Sequence, residues 1–483
     1  MLNRPLGLLK SLAPKLRVLR DFLLAQGLTL VGNLFYGLLC IRLLPTASYA
    51  KFVVLFGVQG TLVVLMDVGI STSLVPLIGE RVDDRGLIAD YVATLRGLGR
   101  QLYGIVVVGL IIAYPLLVKN RGWSWQTVVA MIGTLMVSTW FMRIGATYGT
   151  VLLVLRDRHQ WYLGQMISSL GTLALLLMFW AFHELYAFTA ILLNVAGIVF
   201  VGCFYFYRSR KLLGNHGVPS KAKRKAILRL ALPNVPPTIF YALQGQVALL
   251  LMTFFGKTTG VASMGALARL GQIFALAGQI NPIIVEPYFA RLSKDRFARQ
   301  YLIAVSLCIS LGATVVFASY LFPGAFLWVL GPKYAELHFE VVLVMMSSAV
   351  ATLSGLVWTI HSSRKFVFWW TNILNIVLIF CVQLMFIMRA DLGQLRSLLW
   401  MAFGTNLASL TTDISAGIYG FIKGPRKVED DLPQVSLEET ENAESRTGFD
   451  TVLVYLRGFF RKADTADADA HLDDVAENTG QDD

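Results

Sequence analysis

Apolar runs of twenty or more residues recur along the first 425 positions, separated by short polar breaks. About twenty residues of helix cross a hydrocarbon core, and in lipid every backbone N–H and C=O must find a partner within the fold. The pattern therefore points to an all-α, polytopic membrane bundle, since a β-barrel would show shorter segments of alternating polarity. Composition agrees, because 56% of the 483 residues are hydrophobic and 15% are charged, too little polar surface to coat a soluble globule.

The sequence predicts twelve spans, at about 22–44, 48–70, 97–118, 125–149, 160–182, 185–207, 230–255, 260–284, 300–322, 337–361, 366–388 and 397–422, with the second and eighth able to continue to residues 79 and 290. The stretch Arg4–Arg20 is basic and amphipathic, and the apolar run behind it lacks a cleavage site. That run reads as helix one of the mature protein, not as a cleavable signal. Lys and Arg give the orientation: alternate loops and the termini, up to residue 427, carry 28 of them on one side, against eight on the other. Cytoplasmic flanks hold the basic excess, so both termini are expected in the cytoplasm of a multi-pass inner (cell) membrane protein. On this reading Arg364, in a cytoplasmic loop, has a topogenic role only.

Five segments follow. Residues 1–21 form a cytoplasmic amphipathic N-terminus, 22–207 a first lobe of helices one to six, and 208–229 a basic cytoplasmic linker. Residues 230–423 form a second lobe of helices seven to twelve, and 424–483 an acidic tail. The tail is sharply different in composition: residues 428–483 hold 16 acidic and four basic side chains. It is expected to be largely disordered, apart from an amphipathic pattern over Phe449–Lys462. The linker, with eight basic residues from Arg208 to Arg229, serves topology and leaves open a contact with anionic lipid. The two lobes look duplicated, because Pro76 near the end of helix two and Pro287 near the end of helix eight align at an offset of 211 residues. Six helices per half imply repeats of the same orientation, related by an axis along the membrane normal.

Chemistry has few carriers here. Cys40, Cys203, Cys308 and Cys381 lie inside apolar runs with no pairing spacing and no nearby His, so they are expected to be buried small residues. No metal site, cofactor or nucleic-acid partner is expected. Ionisable groups inside spans are costly and therefore informative: Asp67, Arg143, Arg269, Glu286 and Asp413. Arg143 and Arg269, one per half, suit an anionic substrate in a central cavity through the planar guanidinium fork, or else pair with carboxylates as structural glue. Asp67, near the cytoplasmic end of helix two, fits a capping, packing or coupling role.

Helix eight carries Arg269, Gln272, Gln279 and Glu286 at spacings of three, seven and seven, which places them on one face. Asn372, Asn375 and Gln383 form a comparable face on helix eleven, and Asn406, Ser409 and Asp413 on helix twelve. Asn33, Gln244 and Gln246 extend the set. Amides and hydroxyls both donate and accept, as sugar hydroxyls require, and interhelical hydrogen bonds use the same groups. Pro233, Pro236 and Pro237 predict a kink or a broken turn at the start of helix seven.

The chain resembles the Wzx-type polysaccharide (O-antigen) flippases of the multidrug/oligosaccharidyl-lipid/polysaccharide export superfamily. The resemblance rests on Arg42-Leu43-Leu44-Pro45 leading into Tyr49-Ala50-Lys51-Phe52, and on Asp67-Val68-Gly69-Ile70 closing helix two. Gly265-Ala266-Leu267-Ala268-Arg269-Leu270 and Pro287-Tyr288-Phe289-Ala290-Arg291-Leu292-Ser293 add to it. The turn after helix one has Pro45 and Ala50 in place of the glycine pair often seen there. The resemblance implies a MATE-like fold of two six-helix lobes around a cavity that opens to each side in turn. It also implies a polyprenyl-diphosphate-linked oligosaccharide substrate, a role in exopolysaccharide or lipopolysaccharide biosynthesis, and polymerase and chain-length regulator proteins as partners.

A multidrug antiporter of the same superfamily would be expected to hold a carboxylate in helix one, where this chain has Asn33. A peptidoglycan-precursor flippase would be expected to have fourteen helices. A membrane enzyme of polysaccharide assembly would need a catalytic constellation at a water-exposed face, and the six scattered histidines and short outward loops assemble none. The reading is a transporter and not an enzyme.

Overall fold

Each of the twelve expected spans meets a helix in the computed structural model, which describes residues 26–78, 81–214, 217–232, 235–281, 285–290, 292–364, 366 and 368–423. The amphipathic N-terminus, the acidic tail and its Phe449–Lys462 segment lie outside the described residues. The first half comprises α1 (Gln26–Leu43), α2 (Thr46–Asp67), the short α3 (Leu74–Ile78), α4 (Arg85–Val118), α5 (Trp125–Val154), α6 (Arg158–Ala181) and α7 (Ala187–Leu213). The linker helix α8 (Lys221–Ala231) leads to α9 (Val235–Gln244), α10 (Val247–Phe255), α11 (Thr258–Ile280) and α12 (Glu286–Ala290). The chain continues through α13 (Lys294–Leu321), α14 (Pro323–Leu330), α15 (His338–Ser363), α16 (Trp369–Arg389) and α17 (Leu395–Lys423). No strand occurs among the described residues.

Nine of these helices are long and apolar enough to cross a membrane, or ten if the bent pair α8 and α9 counts as one span. The shortfall from twelve has a physical cause. The helix expected at 230–255 is interrupted at Gly245 and Gln246, so α9 and α10 are each too short to span alone. The long helices α11 and α17 interrupt their apolar surface with Arg269, Gln272, Asn406 and Asp413. Pro236 and Pro237 occupy the first turn of α9, where a missing N–H leaves no intrahelical bond unmade. The bend falls just before them, with α8 and α9 meeting at 54°.

Helix two does not run on to residue 79 as a single helix. α2 stops at Val68 and Gly69, both left-handed at φ 36° and 81°, and Asp67 Oδ1 accepts from the Ser71 N–H at 2.9 Å. α11 is followed by Asn281, still helical at φ −55° and ψ −55°, and residues 282–284 lie outside the described residues. The five-residue helices α3 and α12 carry Pro76 and Pro287.

Lipid supplies no hydrophobic drive between helices, so close backbone approach holds such bundles together. A Cβ added at Gly202 on α7 would lie 2.9 Å from the Phe141 carbonyl oxygen on α5, so only glycine fits that crossing. On α4, the apolar side chains Ile105, Val108, Ile112 and Leu116 are exposed along one stripe, as a lipid-facing surface requires. Cys203 and Cys381 are exposed, and Cys308 half-buried, which corrects the expectation of four buried thiols; Cys40 alone is enclosed. They were read by apolar context, which does not distinguish a core face from a lipid face.

The linker is fastened to the first half. Asp90 on α4 accepts from the Val218 N–H at 2.8 Å and pairs with Lys223 Nζ at 2.5 Å, and Ser220 N–H reaches Thr94 Oγ1 at 3.2 Å. At the other end of the bundle, Glu340 at the start of α15 receives Arg396 Nε from α17 at 2.6 Å, and its second oxygen has no partner. Glu340 is 7% and Arg396 63% exposed by side chain. Arg396→Ala is expected to destabilise the chain by about 1–2 kcal/mol, below the ~3–5 kcal/mol of a fully buried pair. A lower thermal midpoint in detergent checks this, and Glu340→Gln in the same chain should recover part of the loss.

Candidate functional site

A cavity of about 730 Å³ lies in the first half, with α11 closing one edge. α1 contributes Asn33 and Tyr36, α2 Phe56, and α11 Arg269 and Gln272. From α6 come Trp161, Gln165, Ser168 and Thr172 at spacings of four, three and four, one helical face. Asn194, Ile198, Val201 and Tyr205 on α7 follow the same rhythm. α5 supplies a wall with small residues, Gly145, Ala146 and Gly149. A Cβ at Gly149 would meet the Tyr205 ring at 3.2 Å and Trp161 Nε1 at 3.3 Å, so the glycine lets two aromatic side chains close over α5. Hydroxyls fix the wall: Tyr205 donates to the Trp161 carbonyl at 2.6 Å, Ser168 to the Gly197 carbonyl at 2.9 Å, and Ser169 to the Thr29 carbonyl at 2.8 Å. Ser169 Oγ also bonds Asn33 Oδ1 at 3.1 Å.

Arg269 is 7% exposed. Its guanidinium lies 4.4 Å over the Phe56 ring, donates to Gln272 Oε1 at 3.4 Å and interacts with the Tyr49 hydroxyl. A Cβ at Gly37 would sit 2.8 Å from Arg269 Nε, so the glycine on α1 makes the slot for the side chain. Among the described residues no carboxylate lies within ion-pair distance of it, nor does any carboxylate line the cavity. An enclosed cation without a counter-charge is expensive, and an anionic guest lowers that cost.

The other sequence candidates are dispersed. Arg143, on α5, turns away from this cavity toward α4, because residues 142 and 146 take the cavity face and 143 lies about 100° around the helix. The two arginines therefore do not share one central cavity. Gln279 has its side chain outside the described residues, and Glu286 is exposed on α12. Gln244 ends α9 half-buried and is not a cavity-lining residue, and Asn372 is half-buried on α16.

Asp413 and Asn375 belong to a second polar cluster, inside the second half. Ser354 donates to Asp413 Oδ2, and Asn375 Nδ2 donates to the Tyr241 hydroxyl at 2.9 Å. His361, 1% exposed, stacks on Tyr301 at 5.6 Å and lies against the Asp413 backbone. Gly417 opposite it has no room for a Cβ, which would come within 2.5 Å of the imidazole. Asn406 is interhelical glue, bonding Ser347 Oγ at 2.9 Å. Asp67 holds its turn as described above. No group of His, Cys, Asp and Glu among the described residues is arranged to hold a metal ion.

The halves meet most tightly at the end bearing Arg42 and Lys333. There α2 and α11, the repeat-related second helices, cross at Val53 and Gly265, where a Cβ on the glycine would lie 2.2 Å from Val53 Cγ2. Three cations reach across and cap the C-terminal carbonyls of a helix in the opposite half. Arg42 donates to the Val329 carbonyl at 3.0 Å and to that of Trp328; Lys333 Nζ donates to Leu44 O at 2.8 Å and Arg42 O at 3.2 Å. Arg121 Nε donates to the Thr253 carbonyl at 2.6 Å. Helix ends leave such carbonyls unpaired, and the macrodipole favours a cation beside them.

The sequence reading missed Tyr36, Trp161, Gln165, Ser168 and Asn194. The polar spacing on helix five was the available signal. His361 carried none, since a lone histidine in an apolar run looks like core.

The fold has solved relatives in shape. A multidrug resistance MATE family transporter of the MOP superfamily, in an inward-facing conformation, aligns over 82% of this chain and 94% of its own, with a TM-score of 0.57 at 16% identity. The lipid II flippase MurJ, inward closed, aligns over 83% of this chain and 90% of its own, with a TM-score of 0.50 at 13% identity. A MOP superfamily transporter from Pyrococcus furiosus Vc1 gives 0.50 at 15% identity, over 83% and 93%. No protein-family model and no curated protein matches the sequence. At these identities the likeness speaks for the fold alone, an all-helical, multi-pass membrane bundle of MATE-like shape.

Proposed function

We propose that the chain is a flippase that moves a polyprenyl-diphosphate-linked oligosaccharide across the cytoplasmic membrane by alternating access, in surface or exopolysaccharide biosynthesis. The observation that carries this reading is the cavity of about 730 Å³, walled by amides, hydroxyls and aromatic rings, with Arg269 enclosed at its edge and no carboxylate among its lining residues. Rings and amides suit sugar faces and hydroxyls, and an unpaired guanidinium suits a diphosphate. A cavity for cationic drugs would need the opposite charge, and α1 offers Asn33. On this reading both termini are cytoplasmic, the Arg42–Lys333 end faces outward, and Asp413 with Ser354 is available for ion coupling in the second half. Polysaccharide polymerase and chain-length regulator proteins are the proposed partners.

Reconstitution of the full chain in liposomes tests it. A fluorescent polyprenyl-diphosphate oligosaccharide in the outer leaflet should become protected from an impermeant quencher at a rate proportional to the protein present. Efflux of a lipophilic cation against a proton or sodium gradient, with no movement of the glycolipid, would overturn the reading in favour of a multidrug antiporter.

A further inference from the structure

Arg143 is 5% exposed, its guanidinium lies 4.2 Å over the Trp140 ring, and its Nε has no hydrogen-bond partner. NH1 makes a long bond to the Arg96 carbonyl at 3.4 Å. No described carboxylate lies within ion-pair distance, and the nearby charges, Arg96 and Arg100 on α4, are of the same sign. The group borders its own cavity of about 150 Å³, which Arg96, Trp140, Thr147, Tyr148 and Phe206 help to wall. Gly99 on α4 makes the space, since a Cβ there would come within 3.1 Å of Arg143 Cδ. Two arginines bordering a void, one of them buried without a counter-charge, with the like charge of Arg100 close by, are unfavourable while empty and favourable around an anion.

Depth identifies the anion. α4 has 34 residues and α5 has 30, roughly 51 and 45 Å of helix against a hydrocarbon core of about 30 Å. Counting about twenty residues inward from Val118 on α4 and from Trp125 on α5 ends near Gly99 and Ile144. Arg96, Arg100 and Arg143 thus lie where both helices leave the hydrocarbon, the level of lipid phosphates. The edge-to-face pair Tyr103 and Trp140, 5.0 Å between centroids, marks the same level, as interfacial aromatic residues do.

We propose that Arg143, Arg96 and Arg100 form a phosphate-binding site between α4 and α5, separate from the transport cavity, that takes the phosphate of a lipid headgroup or free phosphate. The site does not depend on what the transport cavity carries.

Native mass spectrometry of the full chain in detergent tests it, with phosphatidylglycerol and inorganic phosphate as separate probes. One phosphatidylglycerol should remain bound as detergent is stripped, and Arg143→Gln should weaken its retention at least tenfold, with Arg143→Lys intermediate. Because Arg143 is buried, the exposed pair Arg96→Gln with Arg100→Gln gives the same reading without risk to the fold, and should also lower retention severalfold. Displacement of the lipid by millimolar inorganic phosphate assigns the site to free phosphate; retention of the lipid in its presence assigns it to the headgroup. Retention unchanged in the Arg96/Arg100 pair, or lowered equally by Lys225→Gln on the exposed basic face of α8, would overturn the proposal.

Discussion

Arg269→Ala is expected to slow translocation of the lipid-linked oligosaccharide on the order of 100-fold or more, with the protein still folded in the membrane. The estimate rests on loss of charge-assisted hydrogen bonds to a diphosphate, each worth about 1.5–3 kcal/mol in a water-poor site. Lysine keeps the charge but not the planar fork, so Arg269→Lys should retain part of the rate. Gly37→Ala supplies an independent arm, because its Cβ would press on Arg269 Nε from 2.8 Å and displace the guanidinium without removing it. Its expected effect is a partial loss. A structural-glue role for Arg269 would need a carboxylate partner, and among the described residues it has none. Wild-type transport in Arg269→Ala would remove the cation from the mechanism, and loss of the protein from the membrane would return it to a structural role.

The helical bundle was legible because its signal is redundant: each apolar run alone specifies a helix, and a helix meets every one of them. Pro76 and Pro287, which align by offset, fall on the short helices α3 and α12. The site was legible only in part, because its signal is a side-chain direction. Arg143 and Arg269 look alike in sequence, each a lone cation in an apolar run. Only the arrangement of neighbouring helices sends Arg269 to the large cavity and Arg143 to the α4 side. The same ambiguity attends the amides, since Asn33 lines the cavity whereas Asn406 bonds the neighbouring α15. Arg364 shows the limit of counting charges. It was assigned to topology alone, yet it stacks over Phe297 at 4.7 Å and donates to the Leu292 carbonyl, so it also holds the start of α13.

Gly265→Leu is expected to abolish transport by a different route, through the seam and not the substrate. The first atom of the new side chain would already lie 2.2 Å from Val53 Cγ2, and three more carbons follow it into the crossing of α2 and α11. Overpacking of this kind costs about 1–3 kcal/mol, a shift on the order of 10- to 100-fold against the arrangement in which this end is closed. The caps made by Arg42, Lys333 and Arg121 span the same seam, so the strain falls on hydrogen bonds that hold only while the halves touch. Alternating access requires this end to close during part of the cycle, and a seam held apart stalls it. A cysteine at Gln165, on the cavity wall of α6, reports the change in a background with the four native cysteines replaced. In intact cells an impermeant thiol reagent should label it in the Gly265→Leu chain severalfold faster than in its parent, and Arg42→Ala with Lys333→Ala should give a smaller increase. Val53→Ala vacates part of the space that leucine needs, so combining it with Gly265→Leu should restore protection and some transport. Equal labelling in parent and Gly265→Leu, with transport intact, would show that the Val53–Gly265 crossing is not the closed gate of the proposed flippase.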